Sequence, residues 1–466
     1  MNRSMTLPSF IDDNDLQNAS AHLLSVECRE LWKLQRPIVE RYGGGLHSAV
    51  DSLLGLSIPD SPKIRHWCFV SREVIRANSK GTDPEPSSLS HLIVDSLEPE
   101  RLFLLHTMRL IEALLASAIT KTGADSEPIL IGLGRMSAPK EWDLGTTGTL
   151  RAKGIGRPVV VRIDATGLTL DEDGPLIAHE TPSGKVLRVD ARYQYYQPVI
   201  VPLSVVDRPK NKAIASLHLP VHERGLREPY AASAPVVSDP VLAAGWAKTL
   251  RRACELVRQA DDCLLEQTII YSPEILPLYQ GLGQNFASAS NPNVLGYIYL
   301  PAISTPLDVA ECLVHEAMHQ KLFRIELATQ LFAKDSPSGE CYYSPWRQDP
   351  RPLNMVLHGS YVFTFVVHLW LRWAELQPSE LAKKEEAYRI AMKRVAEVLA
   401  GINLLRQFAK MTSLGARLVD EIESTCRGFL EKICVPDAVR AEINNKVEAH
   451  RQHHLRISIC SDPITS

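Results

Sequence analysis

The chain has no closely spaced pair of cysteines, and this absence excludes two common stabilising devices. Its nine cysteines are odd in number and scattered over 466 residues, at positions 28, 68, 254, 263, 312, 341, 426, 434 and 460. Because no C-x-x-C pair occurs, neither a disulfide framework nor a structural zinc knuckle is indicated. We therefore expect a protein of the reduced cytoplasm.

Strong net charge and long apolar runs are lacking as well. The formal net charge is −3, so there is no electrostatic reason to expect nucleic acid or an anionic membrane as a partner. The longest apolar run, residues 361–371, contains His368 and is too short to span a bilayer. The first 13 residues contain no apolar segment of the kind found in signal peptides, so we expect none.

The apolar pattern predicts an α+β fold that is predominantly helical. Apolar residues recur at helical spacing in residues 14–56, with a break at residues 43–45, and again in 64–77 and 92–122. Short β-branched and aromatic runs between residues 129 and 219 predict antiparallel strands. We place two domains at 1–236 and 237–466, the first an α/β half and the second a helical domain that contains a zincin-like helix.

The second domain is predicted to be helical around one loop. Helices are expected at 239–267, from 306 to at least 326, and at 354–376, 379–400, 403–410, 416–434 and 437–450, with a loop at 335–353. Strands are expected at 268–271, 275–278 and 294–300. The last strand comes just before the helix at 305, so it either pairs with an extended peptide or is an ordinary core strand.

The most informative pattern is His-Glu-Ala-Met-His at residues 315–319. Residues four apart on a helix project from one side, so His315 and His319 are both within reach of one metal ion, with Glu316 close by. Thr305 and Asp308 fit the N-terminus of this helix as a cap and a capping-box acid. The sequence therefore predicts a metal centre on a buried helix.

A catalytic metal needs a further protein ligand as well as open coordination positions. His358, near the start of the next helix, is our first choice, because imidazole suits both iron and zinc. Glu340 and Asp349 stay open as alternatives. Glu326 is excluded, because it is two turns beyond His319 on the same helix, roughly 10 Å along the axis.

The loop before that helix contains Arg347 and Arg351 on either side of Asp349, in a segment stiffened by prolines. Two arginines in a stiff loop suit the bidentate binding of a carboxylate. Alternatively, they form structural pairs with Asp349 that order the loop.

The motif together with residues 344–352 and 356–363 resembles the HExxH-type peptide β-hydroxylases. The resemblance covers about 75 residues, from His315 to near Trp373 together with the preceding strand. This family uses non-haem Fe(II) and 2-oxoglutarate to modify ribosomally made peptides. The resemblance implies that His315 and His319 bind Fe(II) with a third ligand, assigned to His358, and that Arg347 or Arg351 holds the distal carboxylate of 2-oxoglutarate. It implies that Glu316 orients a ligand or a bound water and is not required as a base.

The HExxH motif taken alone supports a different function, that of a zinc-dependent metallopeptidase. Zn²⁺ would lower the pKa of a bound water, and Glu316 would take its proton. A scaffold with a vestigial site is less favoured, because the motif is intact. In the first interpretation the partner is a precursor or carrier-bound peptide, which we expect the N-terminal half to recognise; the oligomeric state stays open.

Overall fold

The computed structural model describes residues 12–460 apart from several gaps. The gaps are 43–45, 56–57, 59–60, 81–98, 122–128, 134–140, 145–148, 153–158, 165, 172–174, 182–184, 191–192, 197–198, 205–213, 220–239, 279–287, 302–304 and 377–379.

Four helices begin the described chain: α1 (Asp13–Tyr42), α2 (Leu46–Leu54), α3 (Pro62–Lys80) and α4 (Pro99–Lys121). The helices predicted within residues 14–56 and at 64–77 are confirmed, whereas the predicted break at 43–45 is outside the described residues. The predicted start of α4 at residue 92 is outside the described residues. These helices share one apolar core, in which Trp67, Leu110 and Leu115 are almost fully buried.

Two sheets follow, as the β-rich pattern predicts. One has the order β1-β4-β5-β7-β6, and the other has the order β2-β3-β8. Their pairing is antiparallel except between β5 and β7. The strands are β1 (Ile129–Leu133), β2 (Glu141–Asp143), β3 (Thr149–Ala152), β4 (Val159–Asp164), β5 (Gly167–Asp171), β6 (Leu176–Glu180), β7 (Val186–Asp190) and β8 (Tyr193–Tyr196).

A third sheet has the order β12-β13-β11-β10-β9. Its strands are β9 (Val199–Ser204), β10 (Ile214–Leu219), β11 (Glu274–Leu278), β12 (Ala289–Ser290) and β13 (Tyr297–Pro301). It therefore takes strands from both sides of the expected boundary at residue 236. β13 is buried throughout and pairs with β11 on one edge and β12 on the other. It is therefore an ordinary core strand, and the alternative that it pairs with an extended peptide is wrong.

The predicted helix at 239–267 is in fact two helices, α5 (Pro240–Ala260) and α6 (Asp262–Tyr271). Asp261 separates them in an extended conformation, and its carboxylate accepts hydrogen bonds from the amides of Cys263 and Leu264. A second N-cap therefore interrupts the apolar stripe. The strand predicted at 268–271 is wrong, because these residues complete α6.

The remaining helices are α7 (Pro306–Ala328), α8 (Leu353–Glu375), α9 (Leu381–Phe408), α10 (Ser413–Leu430) and α11 (Asp437–Cys460). They confirm a predominantly helical α+β protein. The predicted break near residue 401 is wrong: α9 continues through Gly401, where the small residue allows close packing against Trp346 and Ser360. α8 is long and apolar enough to cross a membrane, but 83% of its apolar window is buried inside the protein.

Candidate functional site

The HExxH motif is in the middle of α7, whose start forms as predicted. Thr305 is the N-cap, and its side chain accepts from the amide of Asp308. The apolar face of the helix is fully buried, with no exposure at Val309, Ala310, Leu313, Val314, Ala317, Met318, Leu322 and Ile325. The motif is therefore carried by a rigid core helix.

His315 and His319 bring two imidazole nitrogens together. Their Nε2 atoms are 3.1 Å apart. Two nitrogens that bind one ion at about 2.1 Å are about 3.0 Å apart at a right angle and about 3.4 Å apart at the tetrahedral angle. The observed separation is between these limits, so the pair fits the first two ligands of one metal ion.

Both histidines are held in the neutral form that binds metals. Burial lowers the pKa of His315 to about 3, and the positive charge of Arg394 lowers it further. Burial also places the pKa of His319 well below its usual value. Each ring therefore keeps a lone pair at neutral pH.

Glu316 is 3% exposed and contacts the strand side of α7. Ser288, next to β12, donates a hydrogen bond to its Oε1 atom at 2.7 Å. Burial raises the pKa of Glu316 to about 7, although hydrogen bonds from Ser288 and Ser290 oppose the rise. The carboxyl is thus poised to exchange a proton near neutral pH.

His358 contacts the other side of His319. Its Nδ1 is 3.0 Å from Nδ1 of His319, and its Nε2 is 3.0 Å from Oε2 of Glu326. The two nitrogens of an imidazole point in nearly opposite directions, so in this arrangement His358 is behind His319 and not beside the two Nε2 atoms. Among the described residues, no three His, Cys, Asp or Glu side chains are grouped so as to hold a metal ion, and a third ligand stays a prediction.

The alternative carboxylate ligands have other partners. Glu340 is exposed and accepts a hydrogen bond from the hydroxyl of Tyr342 at 2.6 Å. Asp349 is 58% exposed, 2.6 Å from Arg351 and 3.8 Å from Arg347. The predicted structural pairing of Asp349 with its arginines is therefore present, and the role of either arginine with 2-oxoglutarate stays a prediction.

Trp346 joins this loop to the metal centre. Its ring occupies a slot between α8 and α9, where a Cβ atom on Gly359 or Gly401 would approach it to 2.5 or 3.0 Å. The ring stacks on Phe363 at 5.4 Å, and Phe363 is 4.8 Å from the ring of His315. Trp346 was not predicted as a site residue from the sequence, although an aromatic residue in a proline-stiffened loop is a usable signal when the next helices contain glycines.

Arg394 is a second site residue that was not predicted from the sequence. Its guanidinium is 4.4 Å from the centre of the Phe363 ring, on the α9 side of the site. Glu397 at 3.0 Å and Glu311 at 3.5 Å partly neutralise it. Its only sequence signal was a charged residue within the otherwise apolar stripe of α9.

A cavity of about 600 Å³ adjoins these residues, between the loop, α9 and α11. Trp346, Arg347 and Arg394 are in its wall, but Arg351 is not among its lining residues. Five basic and three acidic side chains line it: Arg347, Arg389, Lys393, Arg394 and Lys446, with Glu386, Glu397 and Glu442. This balance suits a ligand that carries a carboxylate.

Neither a scan against protein-family models nor a search of curated proteins finds a match for this chain. The resemblance to the HExxH-type peptide β-hydroxylases therefore stays a prediction that rests on the quoted residues.

Proposed function

We propose that this protein is a non-haem Fe(II) and 2-oxoglutarate-dependent enzyme that hydroxylates the β-carbon of a residue in a ribosomally made or carrier-bound peptide. The observation that carries the proposal is the 3.1 Å separation of the Nε2 atoms of His315 and His319. These two residues would hold the metal. When bound, iron with 2-oxoglutarate and oxygen supplies the oxidising power that converts a C–H bond into C–OH.

The surroundings of the pair favour an oxygenase. With His358 turned towards Glu326, only two imidazole nitrogens converge among the described residues, which leaves several positions for a chelating keto acid and oxygen. The basic cavity beside Phe363 offers Arg347 or Arg394 for the distal carboxylate. Glu316, bonded to Ser288, would orient a ligand in the site.

Succinate formation is the direct test. Anaerobically purified protein, given Fe(II), 2-oxoglutarate and oxygen, should form succinate even without its peptide. His315→Ala should abolish this turnover, whereas His22→Ala, an exposed histidine of α1, should leave it unchanged. Succinate formation that survives in His315→Ala would contradict the assignment of the metal centre.

A zinc peptidase is the second candidate, and Glu316 is the observation that favours it. A buried carboxyl with a pKa of about 7 is suited to take a proton from a metal-bound water. Glu316→Gln separates the two functions. It should abolish peptide hydrolysis by a peptidase, because the base is lost, but leave keto-acid turnover by an oxygenase largely intact. Stoichiometric zinc in the isolated protein, with chelator-sensitive cleavage and no succinate, would favour the peptidase.

A further inference from the structure

A chain of hydrogen-bonding contacts extends behind His319 to a carboxylate that is partly exposed. Oε2 of Glu326 is 3.0 Å from Nε2 of His358, and Nδ1 of His358 is 3.0 Å from Nδ1 of His319. On the far side of its ring, Nε2 of His319 faces Nε2 of His315 at 3.1 Å. The contacts are consecutive and use both ring nitrogens of His358 and His319.

The carboxylate at the end of this chain decides where the protons are. A carboxylate accepts hydrogen bonds but does not donate them, so neutral His358 carries its proton on Nε2. Its Nδ1 then has the lone pair and accepts, which requires His319 to donate from Nδ1. Neutral His319 therefore keeps its lone pair on Nε2, the nitrogen that faces His315.

We propose that Glu326 and His358 are positioning residues, which fix His319 as the Nδ1–H tautomer and hold its Nε2 lone pair towards the metal ion. The inference rests on the metal centre of the proposed function, but not on which metal or which reaction. Histidine ligands usually donate their other ring N–H to an acceptor, and loss of that acceptor typically costs 10–100-fold in metal affinity. Here the acceptor of His319 is a second imidazole, itself anchored by Glu326.

The packing keeps this chain in place. The side chain of His358 is 2% exposed, whereas that of Glu326 is 28% exposed, so within this pair water reaches only the carboxylate. The ring of Phe323 is 4.6 Å from that of His358, and the rings of His358 and His319 are inclined by 22°. These contacts oppose rotation of His358, which a direct bond to the metal would require.

The first test uses the full-length, metal-free protein with ¹⁵N label in histidine only. Long-range ¹H–¹⁵N spectra, assigned with single histidine variants, report which ring nitrogen carries the proton. We expect His319 as the Nδ1–H tautomer and His358 as the Nε2–H tautomer. Glu326→Leu should give mixed tautomers of both, but Glu385→Leu, on the exposed face of α9, should not. An Nε2–H tautomer of His319 in the wild-type protein would overturn the inference without any variant.

The second test is binding of Zn²⁺ alone, measured by competition with a chromophoric chelator. We expect Glu326→Leu to weaken binding by about 10–100-fold and Glu385→Leu to leave it unchanged. X-ray absorption should count two imidazoles on the zinc, both in the wild-type protein and in His358→Phe. If the zinc has three imidazole ligands in the wild-type protein and two in His358→Phe, then His358 is itself a ligand, and the positioning role is overturned. If the wild-type protein binds no metal, the proposed function fails, and the tautomers of His319 still decide the inference.

Discussion

Glu316 links the chemistry of the site to the stability of the metal-free protein. Burial raises its pKa to about 7, compared with 4.5 for an ordinary glutamate. Between these pH values the folded state binds more protons than the unfolded state, so stability is lost as pH rises through this window. This sign is opposite to that of a carboxylate in a salt bridge. A shift of this size corresponds to about 3 kcal/mol at pH 8.

Glu316→Gln should therefore stabilise the metal-free protein at pH 8 by about 3 kcal/mol relative to its effect at pH 4. The amide keeps the shape of the side chain and cannot ionise. Urea unfolding of both proteins at pH 4 and pH 8 measures the difference. Glu340→Gln is the matched control, because Glu340 is exposed. Parallel pH profiles for the wild-type protein and Glu316→Gln would contradict the assigned shift.

At the scale of elements, loop and helix packing depends on two glycines. Gly359 and Gly401 form the slot for Trp346, and a Cβ atom on Gly359 would be 2.5 Å from that ring. The ring in turn supports Phe363 and, through it, His315. The loop is therefore part of the wall of the metal centre, although Arg347 and Asp349 on the same loop are exposed.

Gly359→Ala should destabilise the protein by about 1–3 kcal/mol, because an overpacked contact outweighs the better helix propensity of alanine. It should also weaken Zn²⁺ binding by displacing Trp346. Gly428→Ala in α10 is the control, since a Cβ atom there meets nothing within 4 Å, and it should stabilise by up to about 1 kcal/mol. Denaturant unfolding compares the two. Equal stabilisation by both variants would show that the slot is not tight.

Local sequence predicted elements well where one pattern dominated. The cap at Thr305 and the pair at residues 315 and 319 follow from spacing along one helix. The boundary at Asp261 did not, because the apolar stripe continues across it and only the side-chain cap ends the helix. The positions of His358, Trp346 and Arg394 depend on contacts between elements distant in sequence, for which spacing gives no rule.

At the scale of the molecule, the start of α1 belongs to the core of the metal centre. Leu16 is fully buried in the apolar cluster that includes α7 and α8. Asp13 is 2.8 Å from the amine of Lys321 and accepts a hydrogen bond from the hydroxyl of Tyr271 at 2.5 Å. Lys321 is 2% exposed and two residues beyond His319. The start of α1 therefore holds the HExxH helix through Lys321, whereas α8 contacts it through His358.

Asp13→Ala should destabilise the protein by about 2–4 kcal/mol, because it leaves the buried ammonium of Lys321 without its carboxylate. Asp15→Ala is the matched control: Asp15 is two residues further along α1 and exposed, so its loss should change stability by less than about 0.5 kcal/mol. The double variant Asp13→Ala, Lys321→Met should recover much of the loss, since no buried charge remains. Urea unfolding of the wild-type protein and the three variants measures each change in the free energy of unfolding. Equal stabilities of Asp13→Ala and Asp15→Ala would show that the N-terminal helix is not an anchor for α7, and the metal centre would then depend on the C-terminal helices alone.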